Sequence, residues 1–495
     1  MRTVLGIDLG TQSVKVLFYD FEAKEVVANE SAALDLYQND DGAAEQQAHW
    51  WTQALQNALA RVDASIRNTV IAIAVSGQQH GFVPLSKAGE VLSSVKLWCD
   101  TSTTSECDEI MQAFGGPQAC LEQAGNLILP GYTASKVRWL AKNRPSLYAE
   151  MDCILLPHDY LNFCLTGERC MEMGDASGTG FLNIRERTWS KDMLRAIDPE
   201  RDLSACLPEI YSDVTVIGKV LPQAAARFGL PAGTSVATGG GDNMMGAIGT
   251  GNLSAGKVTM SLGTSGTVYA HSDQPAIDME GDIAAFCSSD GAWLPLLCTM
   301  NCTVTTEVIR RLLKSDLPEF ERQISQSPQG AEGIITLPFF NGERTPDLPR
   351  AKACIIGLDS QNSQPENLLR SAVEGATFAL RYGIDRLRSL GIEANEILLT
   401  GGGANSATWR QVVADVCGAP VTVLSQDEGA SFGAALQALS ALQGGGQQDL
   451  QQLAEDHLSR NEEWCCQPIG SSVSFYAECY QNYQQAVSAM TPLYR

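Results

Sequence analysis

The chain has 495 residues, too many for one compact core, and two large domains are the natural expectation. Its 44% hydrophobic and 18% charged residues are those of an ordinary globular protein and exclude wholesale disorder. A formal net charge of −23 argues against a nucleic-acid or anionic-membrane surface, and an anionic small ligand would need local backbone amides or a divalent cation to offset that field.

Residues 4–19, VLGIDLGTQSVKVLFY, read as a strand, a Gly-Thr turn and a second strand: a β-hairpin with Asp8 near the end of its first arm and Gly10, Thr11 and Ser13 around the turn. A tight turn of glycine and hydroxyl residues exposes backbone N–H groups, the ingredients of a phosphate cradle, although most such turns simply turn. A single Arg and a short apolar run broken by Asp8 do not make a signal peptide. No apolar stretch approaches the roughly 20 residues that span a bilayer, so a soluble cytoplasmic protein is expected. Fifteen cysteines without a repeated metal-ligand spacing read as free thiols in a reducing compartment.

Residues 49–62 have the pattern of an amphipathic helix with Trp50, Leu55 and Leu59 on its buried side. Residues 70–75 are an unbroken apolar run suited to a strand covered on both faces, and they lead into SGQQHG, residues 76–81. Polar side chains at the end of a buried strand in an open α/β sheet stand where ligands bind. His80 alone would read as structural; beside Gln78, Gln79 and two glycines it becomes a hydroxyl-binding candidate, amide and imidazole matching the donors and acceptors of a polyol. In LWCD, residues 97–100, Trp98 and Asp100 fit a sugar site or, equally, a core Trp beside a capping Asp. GYTASK (131–136) and LPHDY (156–160) read as ordered connections.

TGGGDN, residues 238–243, lies at the middle of the chain. Its consecutive glycines allow close backbone approach and put Asp242 where a carboxylate can face a ligand as a catalytic base; a flexible turn ending in a solvated Asp is the plainer alternative. Residues 258–270, VTMSLGTSGTVYA, then repeat the first hairpin, Leu262, Gly263 and Thr264 matching Leu9, Gly10 and Thr11. Two such hairpins, one opening each half, predict a duplicated α/β domain with a cleft between the copies. GERTP, within residues 337–346, either shapes that cleft or is an exposed loop. Residues 365–390 form a helical pattern stopped by Gly391, and 397–400 a strand followed by GGGANS (401–406) and a helix through Trp409, Val412, Val413 and Val416. Strand, glycine loop and helix would let a nucleotide lie on bare backbone, though the spacing is neither GxxxxGK[ST] nor GxGxxG. Residues 444–446 and the glutamines after them look like a flexible connection, and 474–493 like a last helix carrying Phe475, Tyr480 and Tyr483.

In order and spacing, GIDLGTQSVK, SGQQHG, LWCD, LPHDY, GGGDN, SLGTSG, GERTP and TGGGANS resemble the FGGY carbohydrate kinases over nearly the whole chain. The resemblance implies a duplicated actin-like ATPase fold, two ribonuclease H-like α/β domains (1–243 and 244–495) flanking a catalytic cleft, with the last helix read as packing back on the first domain. It implies ATP-dependent phosphorylation of a sugar, D-xylulose first and another ketose or pentitol next; an actin-like regulatory or assembly ATPase is the competitor outside the enzymes. Asp242 takes the place of the base, and Asp8 that of the acid holding Mg²⁺ through water. Gly10, Thr11 and Gln12, with Gly263, Thr264 and Ser265, match the phosphate hairpins, and Gly402, Gly403 and Asn405 the loop near the adenosine. Gln79 and His80 match the pair that contacts the ketose; Trp98, Asp100 and Asn243 complete the expected sugar site. Gln79 and Cys99 stand where similar enzymes often carry Met and Asn. The implied partners are ATP, Mg²⁺ and a small sugar, without nucleic acid or membrane and with a homodimer allowed.

Overall fold

A computed structural model describes residues 1–425 and 429–494. The predicted first hairpin is β1 (Thr3–Leu9) antiparallel to β2 (Ser13–Asp20), and β2 pairs with β3 (Glu25–Ala33). Helix α1 (Ala48–Ala60) buries Trp51, Leu55 and Leu59, whereas Trp50 is only half-buried. Adjacent helical residues point about 100° apart, and the apolar stripe through Ala48, Trp51, Leu55 and Ala58 leaves Trp50 at its rim. β4 (Val70–Gly77) lies parallel to β1 and is buried almost throughout, as its continuous apolar run requires. Helix α2 (Pro157–Thr166) packs beside β4, and β5 (Val216–Lys219) and β6 (Ser235–Ala237) complete the order β5-β6-β4-β1-β2-β3. Gly240 and Gly241 then pair briefly with Ser76 and Gly77 of β4 before the chain enters α3 (Asp242–Thr250).

The second half repeats the plan. β7 (Lys257–Leu262) and β8 (Gly266–Ala270) form the second hairpin; β9 (Ala284–Cys287) and β10 (Trp293–Thr299) follow. Beyond the long helix α4 (Pro365–Ser389), β11 (Glu396–Thr400) runs parallel to β7, and after α5 (Ala407–Cys417) comes β12 (Val421–Thr422). The sheet order is β9-β10-β8-β7-β11-β12. In each half a set of antiparallel strands is extended, on the side of its first strand, by parallel strands, and in the first half the edge strand β5 then runs antiparallel to β6.

Helix α6 (Gly429–Gln443) belongs to the second half by sequence but lies on β1 and β4 of the first sheet and against α3. It is apolar or small on nearly every face and buried on nearly every face. Glycines line its crossings: a Cβ on Gly6 would stand 1.8 Å from the Ser431 carbonyl oxygen, one on Gly249 2.0 Å from that of Gly429, and one on Gly433 1.8 Å from that of Met245. The last helix, α7 (Gly470–Met490), does not return to the first domain; it packs on α4 and α5, with Tyr476, Tyr480 and Tyr483 gathered around Phe378. Its single aromatic stripe needs one partner surface, whereas α6 needs to be enclosed. The glutamines after residues 444–446 are likewise not a connection, because Gln447–His457 is a helix. All fifteen cysteines are free, and no helix among the described residues is long and apolar enough to cross a membrane.

Candidate active site

The parallel register of the first sheet brings the predicted acid and sugar segments side by side. Asp8 on β1 is level with Ser76 on β4, and Ser76 is level with Gly240. Beyond these C-terminal strand ends lie Gln78, Gln79 and His80 on one segment and Asp242 and Asn243 on the next, the crevice position of an open α/β sheet.

The glycines of TGGGDN serve packing. Gly239 has φ +73°, and a Cβ there would stand 2.2 Å from the Val75 carbonyl oxygen. On Gly240 it would meet Ser289 Oγ at 2.4 Å, and on Gly241 Gln79 Cγ at 2.8 Å. The Gln437 side chain of α6 accepts from the Gly239 N–H (2.8 Å) and donates to its carbonyl (2.9 Å), and Asn162 Nδ2 donates to the Thr238 carbonyl at 2.8 Å. The turn is therefore pinned from three sides, not flexible.

Asp242 is the first residue of α3. Its Oδ1 accepts from the Asn243 N–H (2.8 Å) and Nδ2 (3.1 Å), while Asn243 Nδ2 also donates to Gln79 Oε1 at 2.9 Å. Burial, followed by the charges of Asp8 and Asp175, pushes its pKa up to about 7 against those hydrogen bonds. Asp8 accepts from Ser76 Oγ at 2.8 Å, and burial raises its pKa despite that bond and the charge of Lys15. Two undercompensated carboxylates facing one crevice suit a cation, and the helix N-terminus beneath Asp242 favours its ionised form.

His80 has φ +64°, a conformation unfavourable for a residue with a Cβ, and it is held there. Its carbonyl accepts from Lys136 Nζ at 2.7 Å and Thr133 Oγ1 at 3.1 Å, both on the first turn of the helix Thr133–Asn143, so GYTASK is the start of a helix and not a connection. Its ring lies 4.8 Å from Tyr132 and 5.6 Å from Phe286, the latter on β9 of the second half. Burial, then the charges of Lys136 and Arg344, lowers its pKa to about 3, so the imidazole is neutral. The buried His80 Nδ1 and Gln79 Nε2 have no hydrogen-bond partner within the described protein. A neutral imidazole and a free amide, aimed from the end of β4, fit hydroxyl groups of a ligand.

Trp98 and Asp100 part company. Trp98 Nε1 donates to Thr11 Oγ1 at 2.9 Å, and Thr11 donates to Gln78 Oε1 at 3.0 Å. Gln78 Nε2 and Trp51 Nε1 each donate to Gln46 Oε1 at 2.9 Å, and Gln46 Nε2 returns to the Thr11 carbonyl at 2.8 Å. Trp98 is thereby built into the brace of the first hairpin. Asp100 is fully buried, its oxygens taken by the Ala44 N–H (2.9 Å), Lys96 Nζ (3.1 Å), and the Ser102 N–H (3.0 Å) and Oγ (2.6 Å). The capping reading describes Asp100, and its carboxylate is withdrawn from any sugar.

At the second hairpin Thr264 is exposed and Gly263 and Ser265 half-buried, as Gln12 is exposed and Gly10 and Thr11 half-buried in the first. In the glycine loop, Gly402 faces open space and Asn405 is exposed; Gly403 is buried, a Cβ there falling 2.7 Å from Leu262 Cβ. Gly403 thus seats the loop on the second hairpin and leaves Gly402 and Asn405 as its open positions.

Behind Asp242, on α2 and the segment after it, lies a group that sequence reasoning missed. His158 Nδ1 is 2.8 Å from Asp175 Oδ2, and its Nε2 is 2.9 Å from Asp159 Oδ1. Burial opposes its charge, but the two carboxylates together hold its pKa well above the ordinary value. LPHDY gave a hint: a His-Asp pair just after a buried strand has nowhere polar to go except into a cluster.

The N-terminal domain model of the FGGY family of carbohydrate kinases matches residues 3–249, and the C-terminal domain model residues 258–442. A xylulose kinase of Haemophilus influenzae is 43% identical over 493 residues, covering 98% of this chain and 99% of the relative. One from Escherichia coli is 35% identical over 87% of this chain and 88% of its own length. The crystal structure of a xylulose kinase from Bifidobacterium adolescentis, 31% identical, superposes with a TM-score of 0.80 over 96% of this chain and 99% of that one. The chain belongs to the FGGY family of carbohydrate kinases, with the duplicated actin-like fold that its two sheets display.

Proposed function

We propose that this FGGY carbohydrate kinase transfers the γ-phosphoryl group of ATP to D-xylulose, giving D-xylulose 5-phosphate and ADP. The relatives named above support the acceptor; the observation that carries the chemistry is Asp242, fixed at a helix N-terminus beside an unpartnered Gln79 amide and a neutral His80, with its pKa brought to about 7. A base poised near the working pH combines availability with driving force, worth on the order of 10²–10⁴-fold. Gln79, His80 and Asn243 orient the sugar so that its terminal hydroxyl faces Asp242. The hydroxyl gives its proton to Asp242 as its oxygen bonds to the γ-phosphorus, and the bond from that phosphorus to the bridging oxygen of ADP breaks.

The chain's own part in such a transfer is position and charge, since phosphoryl transfer needs little covalent chemistry from the protein. Gly10, Thr11, Gln12, Gly263, Thr264 and Ser265 offer the two hairpin tips to the phosphates; Gly402 and Asn405 offer the open face of the glycine loop to the nucleoside. Mg²⁺ would fit Asp8 with Asp242 near it, two carboxylates whose pKa values are raised by burial, with phosphates and water completing its shell. When bound, it neutralises charge on the phosphate oxygens. We place the domains at 1–243 and 244–495, α6 reaching across, and the enzyme in the cytoplasm, in keeping with its free thiols. Sugar-stimulated ADP release over D-xylulose, D-ribulose, pentitols and glycerol tests the reading; D-xylulose should give the highest kcat/KM, and no stimulation by any of them would defeat it.

A further inference from the structure

The turn at GERTP has an architecture that its sequence left open. Glu343, buried, accepts from the Met300 N–H at 2.6 Å and from Asn301 Nδ2 at 3.1 Å, and folds back to accept from the Arg344 N–H at 2.9 Å. Asn301 also donates to the Gly342 carbonyl (2.6 Å) and accepts from the Asn341 N–H (3.1 Å). The turn closes on itself through paired Glu343–Leu348 backbone bonds of 2.9 and 3.0 Å. The next residues along, Cys302 and Thr303, donate their N–H groups to the carbonyls of Thr264 (3.0 Å) and Gly263 (2.9 Å). One rigid segment, 300–303, therefore bolts the Arg344 turn to the tip of the second phosphate hairpin.

From that mount the Arg344 charge acts on His80, Cys99 and Tyr132 of the first half and on Cys298, which also feels Asp242. Its side chain is half-buried, and among the described residues no carboxylate pairs with its guanidinium. The other cation at this wall, Lys136, is spent on the carbonyls of His80 and Gly131. An unpaired guanidinium, mounted on the turn that segment 300–303 ties to the second hairpin and reaching His80 of the other half with its charge, suits a ligand that becomes anionic on the sugar side only after transfer.

We propose that Arg344 is the group that receives the phosphoryl as it arrives on the sugar, binding the phosphate of the sugar ester in a forked contact that the free sugar cannot make. The proposal rests on the transfer reading above. Arg matches phosphate geometry with two parallel N–H donors, which Lys cannot reproduce. Because the contact strengthens as the phosphoryl moves toward the sugar, Arg344 lowers the barrier and does not merely tighten sugar binding.

Isothermal titration of the full chain with D-xylulose and, separately, with D-xylulose 5-phosphate tests this, alongside steady-state kinetics. Arg344→Met should weaken the ester roughly 10- to 100-fold, shift the free sugar less than about threefold, and lower kcat on the order of 100-fold with KM for the sugar nearly unchanged. Arg344→Lys, which keeps charge and bulk and guards against a folding defect, should recover part of the ester affinity but not the whole. Equal weakening of both ligands in the two variants, or an unchanged ester affinity, overturns the role of Arg344 while wild-type turnover stands. A wild-type chain that neither turns over with sugar nor binds the ester removes the transfer reading and this proposal together.

Discussion

The two Leu-Gly-Thr hairpins share a backbone and differ in what stands behind it. Asp8 in the first corresponds to Ser261 in the second, and each faces a hydroxyl residue on the parallel strand beside it, Ser76 on β4 and Thr400 on β11. The first tip is braced by side chains, Trp98 and Gln78 both bonding Thr11; the second is braced by backbone and the Thr303 hydroxyl, which donates to the Gly263 carbonyl at 2.9 Å. The first half thus carries the acids of the cleft, Asp8, Asp242 and Asp175, while the second brings hydroxyls, glycines and Arg344. An acid stands behind the first turn and a hydroxyl behind the second, so in the proposed transfer a polyanion meets one acidic wall, not two.

Removing the acid proposed as the base should break this division most severely. Asp242→Asn is expected to lower kcat on the order of 10²–10⁴-fold while ATP affinity by titration stays within about threefold. The same variant should unfold at a higher temperature than wild type. The folded pKa of about 7 lies above the ordinary carboxylate value, so ionised Asp242 costs stability increasingly as pH rises toward 7; the gain of Asn should be largest above pH 7 and vanish near pH 4. Activity runs the other way with pH. The base works ionised, so kcat/KM for the sugar should fall as pH drops through an apparent value at or below about 7, and raising Mg²⁺ should move that limb lower by offsetting the Asp8 charge.

Exchanging the hairpins' characters sharpens the comparison. Asp8→Asn should cost kcat roughly 10²–10³-fold and flatten its dependence on Mg²⁺ concentration. Ser261→Asp, which gives the second turn the acid of the first, should weaken ATP about tenfold through repulsion, an effect that shrinks with added salt. Asp100→Asn should leave KM for the sugar unchanged yet lower stability by about 1–2 kcal/mol, read as a fall in Tm, because Lys96 and the Ala44 N–H lose a buried acceptor while Lys96 keeps Glu45 at 3.0 Å. The smallest effects separate the two threonines. Thr11→Val should destabilise by about 1–2 kcal/mol, since Gln78 and Trp98 are left unpaired, and Thr264→Val by less than about 0.5 kcal/mol in chemical denaturation.

Both hairpins, the buried strand Val70–Gly77 and the strand–glycine–helix at residues 396–417 were legible in the sequence because their signals are local: a turn, an alternation, a cap. Asp242, Gln79 and His80 were legible as polar residues at strand ends. For Asp100 the sequence offered the cap and the sugar equally, and what decides it, the Ala44 N–H that takes one of its oxygens, lies outside the segment. Lys136 left one trace, a cation on the first turn of a helix, where the macrodipole disfavours it and only a compensating carbonyl explains it. The glycines of TGGGDN do signal close approach, but the sequence does not say of what: the neighbours are Val75, Ser289 and Gln79. Arg344 acts across the two halves, and no periodicity within one segment encodes such a neighbour.

The glycine-lined crossing of α6 sets an order of events for the nascent chain. Val4, Leu17, Ala72 and Ala74 on one face of the first sheet are covered by Phe432, Ala435 and Leu439, residues the ribosome adds more than 350 positions later than the last of them. Until then that face lacks its main cover, so a truncated product ending near residue 250 is expected to aggregate or to sit on a chaperone even though all seven strands of its sheet are present. Supplying residues 429–443 in trans should not rescue it, because a 15-residue apolar helix has no stable form before it docks. The two halves are copies in architecture, and α6 makes the core of the first depend on the end of the second.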